Sequence, residues 1–575
     1  MALRCAALTL LLSLAHCDSN VAPPTRPSAP LPDVEVASRS PNAFRIFNAV
    51  HSALRQWGSS IQHNGLSFFP VTIPEGNIFY HGRHDTERPD TFEWLAFEME
   101  HASQFAQSWD FDDPSPNASM LSQLVPGLSL HGRVSTANAK FRHNSELGAI
   151  PSDNQHALTR DDDDEPKPPH RRPPVPPKTR GYLQTYRAAR PLHLLYLDGM
   201  AAAKCRLGTL DSQNSILLDR TEQSDPMRDE WERTEALCAQ ARAWGRVDGY
   251  IRMEAGFEII YCNFSQGAGL DLVATRGSPF RNETHASARE GGRPGGECWG
   301  VGLLEWMRAS AARYAGFPAG RAVVDFSGMV SAFMYDVNTT NPDPDRQDLP
   351  RIVSAGAEAR HGIRDRVREV FRDRKGRGSS SSSTVEWQAV VDNIVGRFAA
   401  RLWFLAAGDP PSARDFRSQL ATLLYPFLDF PDDMGLDDVA EPVRRCTDIH
   451  LDPVVAGDRS SSWTPEDCAI HAAVRTVSRE ICSGLFAMRR EIHTTNGTTS
   501  GDEDAARRVQ DMARELRGRL DWTVWKECGG CADPGEVCFV AMFPAGGRED
   551  HFAPRCKSQD EFGMGYFLNF SQPPV

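Results

Sequence analysis

Val247-Asp248-Gly249-Tyr250-Ile251-Arg252-Met253-Glu254-Ala255-Gly256-Phe257-Glu258-Ile259-Ile260-Tyr261-Cys262 is the stretch on which the fold of this chain turns. Its β-branched and aromatic residues predict a strand over Tyr250–Asn263. In that strand Phe257, Ile259 and Tyr261 share one face, and Glu258, Ile260 and Cys262 share the other. Both faces are apolar enough to be buried. A carboxylate between Ile260 and Cys262 is then costly unless something meets it. Water on an open face or an Arg would answer it, and so would a substrate for which the carboxylate is catalytic.

Outward from this stretch, Leu192 to Leu197 is a short apolar run ending in Asp198-Gly199, a strand entering a turn. Leu66 to Arg83, broken by Pro70, Pro74 and Gly76, predicts two short strands ending at Tyr80-His81-Gly82. Phe47, Val50, Leu54 and Trp57 recur at helical spacing after Ser40-Pro41, giving a helix over about 42–58. Further helices are expected over Trp94–Gln107, Asp229–Trp244 and Leu303–Ala315, and a strand over Arg321–Tyr335. Beyond Asp348 the pattern changes to long helices: Arg360–Arg374, Val385–Ala407, Ser412–Leu424, Pro465–Arg490 and Ala505–Cys528. Thr464-Pro465-Glu466-Asp467 gives the fourth a cap, Pro in the first turn and two acids there. The fold class expected is α+β. A mixed α/β domain with a split sheet covers 42–345, and a mainly helical, disulfide-stapled region covers 350–575. A charged insertion at about 155–181, containing Asp161 to Asp164, and a Ser run at 376–384 cannot bury an apolar face and are expected to be disordered.

The start of the chain sets the expected compartment. Arg4, the apolar run Ala6–Leu14 and the small residues Ala15 and Cys17 compose a signal peptide over 1–17, followed by a Pro/Ser-rich linker over 18–41. No segment reaches the roughly 20 apolar residues that cross a bilayer, and the last residues are too polar for a lipid-anchor signal. A secreted, extracellular protein without a membrane anchor is expected. Asn117, Asn263, Asn282, Asn338, Asn496 and Asn569 begin glycosylation sequons. Eleven cysteines follow the leader: Cys205, Cys238, Cys262, Cys298, Cys446, Cys468, Cys482, Cys528, Cys531, Cys538 and Cys556. In an oxidising lumen they are expected to pair, with one left over. Cys468 and Cys482 lie close to one face of a helix and are expected to bond to other segments rather than to each other. The net charge of -13 argues against nucleic acid or an anionic membrane as partner, leaving an extracellular ligand of unknown identity.

The sequence lacks a G-x-S-x-G elbow, an H-E-x-x-H helix, a P-loop and a strand-linked G-x-G-x-x-G. Cys528-Gly-Gly-Cys531, Cys538 and Cys556 have spacing that zinc accepts, but oxidation favours disulfides, in any of three pairings. The oxygens of Asp336 to Asp348 suit calcium by type, without the Gly and closing Glu of an EF-hand loop. No metal and no cofactor is expected.

Two resemblances carry further. Glu93 to Glu98, Leu194 to Lys204, Gly208 to Gln213, Ile251 to Ser265 and Cys528 to Cys531 resemble segments of a family of secreted proteins of filamentous fungi, over most of 43–560. That resemblance brings no catalytic residues with it. A strand ending in Tyr80-His81-Gly82, then Trp94 to Phe97, then Asp248-Gly249 leading to Glu258, is similar to the motif order of the ADP-ribosyltransferase fold. It implies that His81 positions NAD, Trp94 marks the second motif and Glu258 is the catalytic carboxylate stabilising an oxocarbenium-like transition state. NAD is the cofactor under that alternative alone. The competing expectation is a secreted binding or structural protein without catalysis. A wall-polysaccharide hydrolase would need two carboxylates about 5 to 10 Å apart across a groove.

Overall fold

The structure is a computed structural model that describes residues 29–106, 108–110, 178–220, 229–278, 296–313, 316, 320–373, 385–408, 411–429, 438–455, 463–494, 499–562 and 566. Its centre is a sheet built from β1 (Asn64–Ile73), β2 (Ile78–Arg83), β3 (Glu93–Ala96), β4 (Tyr182–Ala188), β5 (Leu192–Gly199), β6 (Gly249–Glu254), β7 (Gly256–Tyr261), β8 (Leu270–Gly277), β9 (Val323–Val324) and β10 (Val330–Ser331). The order is β8-β4-β2-β3-β7-β6-β5-β1-β9, with β10 also paired to β1. Only β5 and β6 run parallel. The connection between them holds the helix Glu230–Trp244, the kind of crossover that parallel neighbours need.

The single strand expected over Tyr250–Asn263 is instead the hairpin of β6 and β7. Gly256 takes φ 89°, a left-handed conformation that glycine adopts without strain, and turns the chain in one step. Gln56 fastens the turn: its Nε2 donates to the Glu254 carbonyl at 2.6 Å, and its Oε1 accepts from the Gly256 N–H at 2.8 Å. Trp94–Gln107 is likewise not one helix. Glu93–Ala96 pairs with β7 through Leu95↔Ile259 and Ala96↔Glu258, so sheet pairing overrides local propensity and leaves helix only over Met99–Ser103. In Arg321–Tyr335 strand survives only as β9 and β10, separated by the 3-10 turn Phe326–Gly328. The end of the expected linker carries a short helix, Val34–Ser38, whose cap Asp33 accepts from Glu35 N and Val36 N.

The second half is mainly helical, so the class is α+β, as expected. The long helix Pro465–His493 opens on the capping box read from its sequence, with Thr464 and Asp467 satisfying each other's backbone N–H groups. It packs on Val34–Ser38, Asn42–Ser52, Ala413–Leu424, Ala440–Asp448 and Thr499–Leu520. One hydrophobic cluster runs through both halves, with Phe47 stacked on Trp522 at 5.9 Å. Among the described residues no helix is long and apolar enough to cross a membrane.

Disulfides join Cys238 to Cys262, Cys446 to Cys482, Cys528 to Cys538 and Cys531 to Cys556, and Cys468 is bonded too. The C-x-x-C cysteines therefore bond outward, each to a partner in or beside the small hairpin of Glu536–Phe539 and Arg555–Ser558. Among the described residues Cys205 is the one left over, which corrects its inclusion among the disulfide cysteines: it is a free, buried thiol 3.3 Å from the Thr209 hydroxyl. The side chain of Cys298 lies outside the described residues, as do Asn117, Asn282, Asn496, Asn569, residues 1–17, the Ser run and most of the charged insertion. Asn263 and Asn338 are exposed. The oxygens of the 336–348 loop are spent on its own turns: Asn338, Asn341 and Asp343 each accept from the N–H two residues on.

Asp198 closes β5, where it is 4% exposed and accepts from the Gly199 N–H at 2.8 Å. Burial pushes its pKa up from 3.8 to about 7, against smaller lowering by the Gly199 N–H and Ser67. The folded chain therefore binds this proton more tightly than the unfolded chain. Its contribution is greatest at acid pH and is lost as pH rises from the unfolded value to about 7. Asp198→Asn should flatten that slope, so urea midpoints at about pH 5 and about pH 8 should differ less in the variant than in wild type. Equal differences would remove the assignment.

Candidate functional site

The register of the sheet decides where the three residues of the NAD alternative lie. Paired residues of antiparallel neighbours share a face, and successive residues alternate. Tyr80 pairs with Ala96, Ala96 with Glu258, and Trp94 with Ile260, so Trp94 and Glu258 share one face while His81 is on the other. The sheet itself separates His81 from Glu258.

Each of the three is also taken up internally. His81 is buried, and its Nδ1–H donates to the Trp94 carbonyl at 2.7 Å. Burial, then the charge of Arg83, push its pKa down to about 3 against that bond, so the ring is neutral. Trp94 is 7% exposed and packs on Phe92 and Trp231. Glu258 meets an Arg inside the core: Arg252 Nε and Nη2 both donate to its Oε1, at 2.9 and 2.5 Å. That geometry matches the Arg-paired expectation for a carboxylate between Ile260 and Cys262.

Arg252 is the centre of a larger buried network. Its Nη1 donates to Gln213 Oε1 at 2.8 Å, and its Nη2 also reaches Glu230, which Arg233 engages from the other side. Arg233 Nε donates to Asn214 Oδ1 at 3.0 Å. Two residues along β6, Glu254 receives Lys204 Nζ on Oε2 at 2.8 Å and His101 Nε2 on Oε1 at 3.2 Å. Burial alone would raise the carboxyls of Glu230 and Glu254, but Arg252 and Lys204 on the first, and Lys204 and His101 on the second, outweigh it and hold both low. Burial would lower Arg252, and Glu230 and Glu258 outweigh it to raise its pKa. Arg252, Glu230 and Glu254 are thus held in their charged forms, which survive in a core only when closely paired.

Of this network the sequence singled out Glu258 alone. A signal was available in the spacing: Arg252, Glu254 and Glu258 all fall on one face once the chain turns at Gly256, and only the missed turn hid it.

A cleft of about 720 Å³ opens near the end of β7, lined by Asp90, Phe92, Arg190, Trp231, Glu235, Arg242, Asp248, Tyr261 and Asn263 among others. Phe92 and Trp231 meet along it, with ring centroids 4.6 Å apart and planes tilted by 45°. Arg190 holds Asp248 through two bonds of 2.9 and 2.6 Å, and Asp248 Oδ2 also accepts from the His193 N–H at 2.8 Å. The Cys238–Cys262 disulfide pins the helix Glu230–Trp244 to the residue just past β7 and so fixes one wall.

Residues 38–284 match the family model described as the YPL277C N-terminal domain. Over 233 residues the chain is 34% identical to two proteins of Saccharomyces cerevisiae, the uncharacterized proteins YOR389W and YPL277C. The aligned stretch covers 39% of this chain, 32% of the first relative and 41% of the second, so the chain spans less than half the length of either. No solved structure matches the chain. The likeness is to an uncharacterised family with yeast relatives, and the matched stretch 38–284 spans the positions of the buried network and of the cleft residues named above.

Truncating the hub tests its weight. Arg252→Met leaves Glu230 and Glu258 buried without their shared cation and should cost about 3–5 kcal/mol in guanidinium unfolding. Adding Glu230→Gln and Glu258→Gln should restore much of that loss, because the uncompensated charges go too. A single-variant loss below ~1 kcal/mol would show that Arg252 is not the hub.

Proposed function

We propose that this protein is an extracellular binding protein whose cleft takes a neutral, polyhydroxylated ligand, an oligosaccharide. The observation that carries the reading is the cleft's composition. Phe92 and Trp231, in contact at a 45° tilt, offer an aromatic surface on which the apolar face of a sugar ring can rest. Asp90, Glu235, Arg242 and Asn263 stand around it as hydrogen-bonding groups. Arg190 and Asp248 neutralise each other, which leaves Asp90 and Glu235 against Arg242, a small negative surplus that repels a polyanion and is too slight to select a polycation. A dinucleotide is less suited, since its diphosphate would find Arg190 already committed.

The extracellular assignment is supported by the leader-like start, the sequons and the disulfides. The binding reading over the NAD-consuming one is supported by the opposite faces of His81 and Glu258 and by the Arg252 pair that occupies Glu258.

Titration with chitotetraose, laminaritetraose and mannotetraose, read by tryptophan fluorescence and calorimetry, tests it. At least one should bind, and Trp231→Ala should weaken that ligand by about tenfold or more, ~1.4 kcal/mol. Silence from all three, or binding indifferent to both Trp231→Ala and Phe92→Ala, would defeat the proposal.

A further inference from the structure

We propose that His101, Glu254 and Glu258 form a site for one divalent first-row transition-metal ion, with Glu98 holding the far nitrogen of the imidazole. One ligand atom from each of the three lies within 4.8 Å of the others, and all three residues are buried. Donors sharing an ion at about 2.0–2.2 Å lie at most ~4.4 Å apart, so a small inward shift of these side chains completes the site. One imidazole and two carboxylates are donors that manganese, iron or zinc accept, and that calcium or magnesium would not select. The neighbouring cations do not fill the site. Lys204 holds Oε2 of Glu254 and Arg252 holds Oε1 of Glu258, so each carboxylate keeps one oxygen clear of them. The ion would replace the 3.2 Å contact between His101 Nε2 and Glu254 Oε1.

Glu98 supplies the independent observation. It is 1% exposed, and no hydrogen bond reaches either of its carboxylate oxygens; His101 Nδ1 likewise has none. Both face the bare α-carbon of Gly256, where a Cβ would stand 3.0 Å from Glu98 Oε2 and 3.2 Å from His101 Nδ1. A buried carboxylate left this way is expensive. Burial raises its pKa to about 7, against the charges of His101 and Arg321 and nearby backbone N–H groups. Arg321 spends its hydrogen bonds on the carbonyls of Ile78 and Phe97 and acts on Glu98 only through space. An imidazole that ligates through Nε2 carries its proton on Nδ1, and a carboxylate on that side is its usual second partner. Glu98 does not touch Nδ1 in the structure and would close on it across the bare α-carbon of Gly256 when the ion binds; Trp306, stacked on the His101 ring at 5.2 Å and 22°, fixes the ring plane.

The test uses the full chain, stripped with a chelator and dialysed against Co2+, Mn2+ or Zn2+. Wild type should retain one equivalent through gel filtration and melt at a higher temperature when loaded. Glu254→Gln and Glu258→Gln should lose the ion. Glu98→Gln should keep the stoichiometry and weaken affinity by about tenfold to hundredfold. Folded wild type that retains no ion, or a folded Glu258→Gln that retains it undiminished, overturns the proposal. If the glutamine variants do not fold, spin-echo modulation of Mn2+-loaded wild type decides: ligated imidazole nitrogen is expected, and its absence overturns the site.

Discussion

Arg252 has no exposed surface, and its guanidinium reaches Glu258 across the hairpin, Glu230 on the crossover helix and Gln213 on the segment after β5. Those three partners come from separate parts of the chain, and each alone would be a charged or amide group stranded in an apolar core. The cation can satisfy them only if the hairpin turns at Gly256, the crossover returns to lay β6 parallel to β5, and the helix Glu230–Trp244 docks in one orientation. A hydrophobic face tolerates small shifts of register. A five-donor guanidinium does not, because its bonds are directional and a shift by one residue would send Glu258 to the other face.

From this hub the two candidate sites separate naturally. Glu254 and Glu258 point inward on the face that Lys204 and His101 close, and all four residues are buried or nearly so. The cleft lies farther along, past the end of β7, where the Cys238–Cys262 bond anchors the helix and Arg190 with Asp248 props the entrance. The helical half adds no side chain named for either site. It covers the sheet through one continuous core, and it brings the small Cys528–Cys556 module against the turn of the hairpin, where the Ala255 N–H donates to the Phe543 carbonyl at 2.8 Å.

Much of the fold was legible in the sequence because the relevant signals are local. The cap Thr464-Pro465-Glu466-Asp467 and the apolar run into Asp198-Gly199 need no knowledge of distant residues, and both formed as read. The errors have one common cause, which is pairing decided at long range. Trp94 to Ala96 looks like the start of a helix and becomes a strand because β7 offers it hydrogen bonds. Ala255-Gly256 is a weak turn signal inside an alternating run, so the hairpin went unseen. With it went the fact that Arg252, Glu254 and Glu258 are neighbours. The grouping of His81 with Glu258 went astray for the same reason: motif order says nothing about face, and parity through two strand pairings puts His81 behind the sheet.

A buried ion network of this size is a poor way to hold a sheet together. Well-packed apolar residues of similar volume usually serve as well or better, since every charge must first be stripped of water. Arg252, Glu230 and Glu258 satisfy one another and could be explained as a device for register. Glu98 cannot be explained so, because it is enclosed and without a hydrogen bond, and the imidazole nitrogen that lies near the same bare α-carbon of Gly256 is without one too. A residue that serves only architecture would have been cheaper as glutamine or leucine. The cost of Glu98 makes sense if the imidazole it faces must be held in one tautomer, and a fixed tautomer matters only when the opposite nitrogen has something to bind.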